Sequence, residues 1–250
     1  RCTGGQLLLI IALSMLITPL LIIIYEFLGR TARADDAHMA HDDVDEQGAV
    51  IIAGIGRFGQ IVNRLVQGAG FKTVVVDSNL STVQMMRKYG FRGYFGDPTR
   101  PDLLNAAGLQ DASVLVVAID DKSSANKLVA YARKARPDLH IIARARDRVH
   151  VYELYDAGAN DIVREMFDSS LRAGRYVLEN MGLSEFEASE IEHAFYQHDR
   201  HTLRELAELW QPGITVADIP EYVKRANELN NDLETEFASR QQVAERKDSA

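Results

Sequence analysis

Gly54-Ile55-Gly56-Arg57-Phe58-Gly59 spaces its glycines as a backbone needs them to turn tightly and admit a pyrophosphate. An apolar run, Ala49-Val50-Ile51-Ile52-Ala53, precedes this motif and reads as a buried strand. Gln60 to Gly68 follows as a helix, and a second apolar run, Thr73 to Val76, ends at Asp77. Strand, glycine turn, helix, strand and acid together make the dinucleotide-binding arrangement. A helix N-terminus carries free N–H groups, so Gly56, Arg57 and Phe58 are expected to receive phosphate oxygens, within a loop bounded by Gly54 and Gly59. Asp77 is placed to accept hydrogen bonds from ribose hydroxyls. Its charge repels a 2′-phosphate, which favours AMP, NAD(H) or another adenosine ligand over NADP. The bland alternative is that the glycines only shape a tight turn in a fold that has lost its ligand.

The elements that must position this loop follow at regular spacing. Ser81 to Tyr89 reads as a helix with Ser81 as N-cap, and Arg92 to Phe95 as a short strand before Gly96-Asp97-Pro98-Thr99. Pro101 starts a helix that Gly108 can end. Val114 to Ala118 is a strand ending at Asp120 and Asp121, and Ser124 to Ala135 a helix. Leu139 to Ala143 is a strand, Val149 to Ala157 a helix and Asp161 to Val163 a short strand. The alternation implies an α/β fold with a Rossmann-like doubly wound parallel sheet and ligand sites at the strand C-termini. Asp77, Asp97 and Asp120 all fall at such ends. Asp97 is the first choice for an adenine amino group; its other reading is a cap on the next helix.

Before the sheet, Leu7 to Leu28 carries a single charge, Glu26, near its end. As a helix it would be about 33 Å long, enough for a bilayer core. Arg30 and Arg33 follow it, whereas only Arg1 precedes, so the positive-inside rule puts the C-terminal side in the cytoplasm. A cleaved signal peptide, with Ala32-Arg33-Ala34 as its site, fits less well, because the apolar stretch is too long and its start is not basic. The opening Arg1 suggests the last span of a larger membrane protein. Thr31 to Gln47 is acidic and expected to be a mobile linker, in which His38 and His41 are solvated. The net charge of −8 argues against a nucleic-acid partner. Cys2 is the only cysteine, which excludes a disulfide framework, and no metal or catalytic residue is assigned.

Past the sixth strand, Phe167 to Leu183 forms an apolar-faced helix with no place in the winding of the sheet, suited to crossing onto a partner subunit. Ser184 to Trp210 is helical, and Ala217 to Gln242 makes a last polar helix. The narrow stripe Val223, Ala226, Leu229, Leu233 and Phe237 suits docking onto another surface. The expected division is a membrane helix over 1–30, a linker over 31–47 and a nucleotide-binding domain over 48–166. A helical dimerisation extension over 167–210 and a polar tail over 211–250 complete it.

Val50 to Gln60, Met86-Arg87-Lys88-Tyr89-Gly90, Tyr94 to Thr99, Ile141 to Asp147, Arg164-Glu165-Met166-Phe167 and Gly174-Arg175 resemble Kef-type glutathione-regulated potassium-efflux antiporters. The resemblance covers roughly 6–210; the tail beyond Trp210 offers no match. Pro98 stands where the family usually has alanine, which is expected to alter that turn without abolishing it. The resemblance implies an RCK regulatory domain on the cytoplasmic side of a multi-pass inner-membrane potassium/proton antiporter. It further implies a nucleotide in the Rossmann cleft, a homodimer, an upstream transporter membrane domain and a soluble, oxidoreductase-like ancillary subunit. Glutathione or its adducts would bind between subunits near Arg144, Arg146 and Arg175. The bland reading leaves Arg146 and Arg148 exposed and pairs Arg144 with a local Asp. Two other functions compete. A membrane-anchored NAD-dependent oxidoreductase would need a substrate domain and a hydride-transfer residue, and neither is evident. A non-catalytic Rossmann scaffold would bind no nucleotide.

Overall fold

The computed structural model describes residues 17, 21, 42, 44 and 48–248. Nearly all of the expected membrane segment and most of the linker lie outside the described residues. Among the described residues no helix is long and apolar enough to cross a membrane.

The sheet comprises β1 (Val50–Ala53), β2 (Thr73–Asp77), β3 (Tyr94–Phe95), β4 (Val114–Val117), β5 (His140–Ala145) and β6 (Asp161–Arg164). All pairings are parallel, in the order β3-β2-β1-β4-β5-β6. Such strands are covered on both faces, which is why β1, β2 and β4 read as unbroken apolar runs rather than alternating ones. The helices between them are α1 (Arg57–Gly68), α2 (Leu80–Lys88), α3 (Pro101–Ala106), α4 (Lys122–Ala135) and α5 (Arg148–Asp156). One face packs Ile51, Val74 and Leu115 with Leu104, Leu128 and Leu154. The other packs Ile52, Val75 and Val116 with Met86, Phe58, Val62 and Val66. Chain order reverses between β1 and β4, so a crevice opens outside their C-terminal ends.

Beyond the sheet come α6 (Phe167–Asn180), α7 (Glu185–Ala207), a 3₁₀ turn (Val216–Asp218) and α8 (Pro220–Asp248). α7 starts in a capping box, in which Ser184 accepts from the Glu187 N–H and the Glu187 carboxylate accepts from the Ser184 N–H.

Four expectations need correction. β5 runs on through Ala145, so Arg144 lies inside a strand rather than in the turn after it. The N-cap of α2 is Asn79, whose side chain accepts from the Thr82 N–H, rather than Ser81. The linker is anchored at its end: the Asp42 N–H donates to Phe95 O at 2.9 Å, and Arg87 Nη2 donates to the Asp42 carboxylate at 2.6 Å. Val44 packs against the larger core cluster. Finally, the last helix does dock by its stripe, at Ala226 and Leu229 and on this chain's own body, but Tyr222 takes the inward place expected for Val223. Tyr222 and Leu229 are buried with Tyr152 of α5 and Leu206 of α7, while Val223 is exposed. Tyr152 also contacts the Trp210 ring, 5.9 Å between centroids.

Candidate nucleotide site

A cavity of about 700 Å³ opens at the crevice, and Gly54, Gly56, Asp77, Asp97 and Asp120 all line it. The glycines differ in what demands them. Gly54 has φ +96°, and a Cβ there would lie 2.8 Å from Ala118 O. A Cβ on Gly59 would stand 2.0 Å from Gly54 O, so α1 could not close on β1. A Cβ on Gly56 would meet no protein atom within 4 Å. The protein itself therefore does not require a glycine at 56; the open space in front of it does, if something must come close. α1 begins at the next residue, and no side chain caps it. Its first-turn N–H groups are the anion-binding end of a helix.

Asp77 locks this loop. Its Oδ2 accepts the Ile55 N–H at 2.6 Å and its Oδ1 the Asn79 N–H at 2.7 Å. A carboxylate has about four lone-pair sites, so both oxygens keep capacity for ribose hydroxyls. Asp97 accepts the Thr99 N–H at 2.9 Å and the Thr99 hydroxyl at 2.7 Å, both on Oδ1. It does not cap α3, whose N-cap position is Arg100, so of its two expected readings the cap is ruled out. Phe58 is partly buried, its ring packed against the second core cluster.

Asp120 accepts from Arg144 Nη2 at 2.6 Å. That hydrogen bond holds its carboxyl below the usual carboxylate range against the opposing pull of desolvation. Asp121 caps α4 by accepting the Ser124 N–H at 2.7 Å, and the same bond lowers its carboxyl.

The three arginines assigned to an effector differ in how free their guanidinium groups are. Arg144 is 2% exposed and committed to Asp120, Ile119 O and Glu165, so it is a clamp between strands rather than an open contact. Its guanidinium lies 6.0 Å from the Phe58 ring centroid. Arg146 is exposed, and its backbone N–H donates to His150 Nδ1 at 3.2 Å. Arg175 is on α6, bonded to Glu179 at 2.8 Å with Glu192 at 3.9 Å. Arg57 reaches Glu165 at 3.4 Å.

Ser78, Asn79, Thr82, Thr99 and Ser124 also line the cavity and were not singled out from the sequence. Their signal was positional: each follows a strand end within a few residues. A second polar centre was also missed. Buried Asp199 of α7 accepts from Arg148 at 3.0 Å and from Arg164, which stacks 3.6 Å from the Phe167 ring centroid. Among the described residues no group of three or more His, Cys, Asp or Glu is placed to hold a metal ion.

A family model described as the TrkA-N domain matches residues 50–165. A second, the potassium efflux system KefB C-terminal domain, matches 169–250, so the tail beyond Trp210 does have a relative, contrary to expectation. The glutathione-regulated potassium-efflux system protein KefC of Escherichia coli (strain SE11) is 41% identical over 202 residues, covering 81% of this chain and 32% of that protein. KefC of Shigella boydii serotype 18 is related to the same degree. The chain thus spans about a third of the length of these curated relatives. Among solved structures, the Kef C-terminal domain of Shewanella denitrificans in its AMP-bound form is 40% identical, with a TM-score of 0.60. That match covers 66% of this chain and all of the other. With a Kef C-terminal domain matched from end to end at that identity, the chain belongs to the Kef family of potassium-efflux systems.

Proposed function

We propose that this chain is the cytoplasmic, nucleotide-binding regulatory region of a potassium/proton antiporter that carries potassium out of the cell. The observation that carries this reading is the cleft at the β1–β4 reversal, where Gly56 leaves an approach open that the protein itself does not use. AMP or NAD(H) fits there, with phosphate at the α1 N-terminus, ribose at Asp77 and the adenine end toward Asp97. The AMP-bound Shewanella relative supports AMP. The role is regulatory: the ligand biases a conformational equilibrium and is not turned over, which requires unequal affinity for the two states.

Glutathione or its adducts act as a second effector in this reading, supported by the regulation named for the KefC relatives. Arg146 and Arg175 are its surface cations, with Arg144 supporting from within. The chain works as a homodimer joined to an upstream membrane domain in the inner membrane, with a soluble ancillary subunit as a further partner. Exposed Tyr176 and Val177 on α6, with Met181 just after it, support the dimer.

Calorimetry with AMP and NADH tests the central point. The parent chain should bind at least one of them. Gly56→Val, whose side chain meets no protein atom at its Cβ, should fold normally by circular dichroism and lose binding. Full affinity in that variant would reject the site.

A further inference from the structure

Glu165 follows β6 directly and sits between two guanidinium groups. Arg57 Nη2 donates to its Oε1 at 3.4 Å, and Arg144 Nη1 lies 3.4 Å from its Oε2. Arg144 also donates to Asp120 at 2.6 Å. Alternating charges therefore run from the glycine loop, across the ends of β6 and β5, to the end of β4. Their commitments are unequal. Arg144 is 2% and Glu165 14% exposed, whereas Arg57 is 84% exposed and held by one long contact. Arg57 is also the first residue of α1, one position past the open front of Gly56.

We infer that Glu165 is a built-in competitor for ligand phosphate, holding Arg57 while the cleft is empty and releasing that guanidinium to phosphate when a nucleotide binds. This rests on the nucleotide reading of the cleft given above. An exposed ion pair at 3.4 Å is weak, so the exchange costs little. A phosphate offers Arg57 a stronger, bidentate partner, at a helix end that already favours an anion. Glu165 keeps Arg144 after the exchange, so its half-buried charge is never left alone. Glu165 is thus a positioning residue: it sets affinity for phosphate-bearing ligands without touching them.

Calorimetry on the full chain with AMP and adenosine as probes tests this. Glu165→Gln keeps the shape and removes the charge. AMP should bind it roughly two- to fivefold tighter, the worth of one exposed pair, and adenosine should bind unchanged. Arg57→Ala should weaken AMP binding, and adding Glu165→Gln to it should bring no further gain. Should Glu165→Gln fail to fold, Glu165→Asp, which draws the carboxylate back from Arg57, should shift AMP in the same direction. If Arg57→Ala weakens AMP but neither Glu165 variant tightens it, the inference is overturned and the nucleotide site stands. An equal gain for adenosine also overturns it, because the effect would then bypass the phosphate. A parent chain that binds neither AMP nor NADH removes the nucleotide reading, and the inference with it.

Discussion

β1 buries all four of its residues, whereas α6 buries none of its fourteen. The two regions are held in different ways. In the sheet, Ile51, Ile52, Leu115 and Ile141 are wholly enclosed, and the glycine loop sits on that base through backbone contacts such as the Gly54 N–H to Val76 O bond at 2.8 Å. In the helical region a small cluster around Leu206, Tyr222 and Leu229 and one carboxylate, Asp199, hold α7 and α8 to the body. Tyr176 and Val177 of α6, and Met181 just after it, remain apolar and exposed. The difference teaches where rigidity and where adaptability reside. The ligand cleft needs a geometry that does not move by an ångström, and the sheet provides it. α6, by contrast, leaves apolar area uncovered, which is what the proposed contact with a second copy requires.

The largest effect should come from the point where the loop meets the sheet. Gly59→Ala places a Cβ 2.0 Å from Gly54 O, against backbone that cannot move aside. It should cost at least ~3 kcal/mol in urea unfolding and lower the midpoint of the whole transition. A variant as stable as the parent would mean that α1 is not seated on β1 as described.

Asp199→Ala should cost somewhat less, about 2–3 kcal/mol, because it strands Arg164 and Arg148, which are partly exposed and can reach water. Hydrogen exchange gives the sharper reading. Amides of α7 and α8 should lose protection while those of β1 and β4 keep theirs. A uniform loss across both regions would show that they unfold together and erase the contrast drawn above.

The smallest effect concerns pH at His150, on the helix that faces both regions. Burial lowers its pKa, the Glu153 carboxylate opposes that, and the Lys122 ammonium adds to it. As the neutral ring it accepts the Arg146 N–H on Nδ1 and reaches Asn126 Oδ1 through Nε2. The sign follows from linkage. The unfolded chain protonates His150 near its ordinary 6.5, before the folded chain does. Stability from this site is therefore complete above that value and declines as pH falls toward the depressed folded value. Denaturant midpoints should drop on going from pH 8 to 5.5, and His150→Gln should flatten that slope. Asp120, whose carboxyl is also lowered, acts in a separate window below its ordinary 3.8. A slope unchanged in His150→Gln would assign the dependence to another group.

The alternation of strands and helices and the glycine loop were legible because each rests on local signals. Unbroken apolar runs, a glycine spacing and an acid at the end of β2 lie within a few dozen residues of one another. Asp77 was found by that route, but its bonds to the Ile55 and Asn79 N–H groups were not, since they depend on how the loop folds back. Arg144 was misplaced because a strand end is weakly marked: Ala143-Arg144-Ala145 carries no turn residue, and a charge there looks like a loop. One position of the last helix was misplaced for a related reason. Its expected stripe put Val223 inward, and contact with Tyr152 and Leu206 selected the neighbouring Tyr222 instead.

The amino-acid sequence by itself determined the parallel α/β architecture and the phosphate-binding turn, because both follow from periodicity and backbone freedom within short stretches. The tertiary structure alone decided which charges meet. Arg57, Arg144, Asp120 and Glu165 are far apart in the chain and adjacent only because β4, β5 and β6 end at one level of the sheet. Long side chains carry charges whose partners no local pattern encodes. Their pairing is set by strand register, and register is set by how the whole core packs.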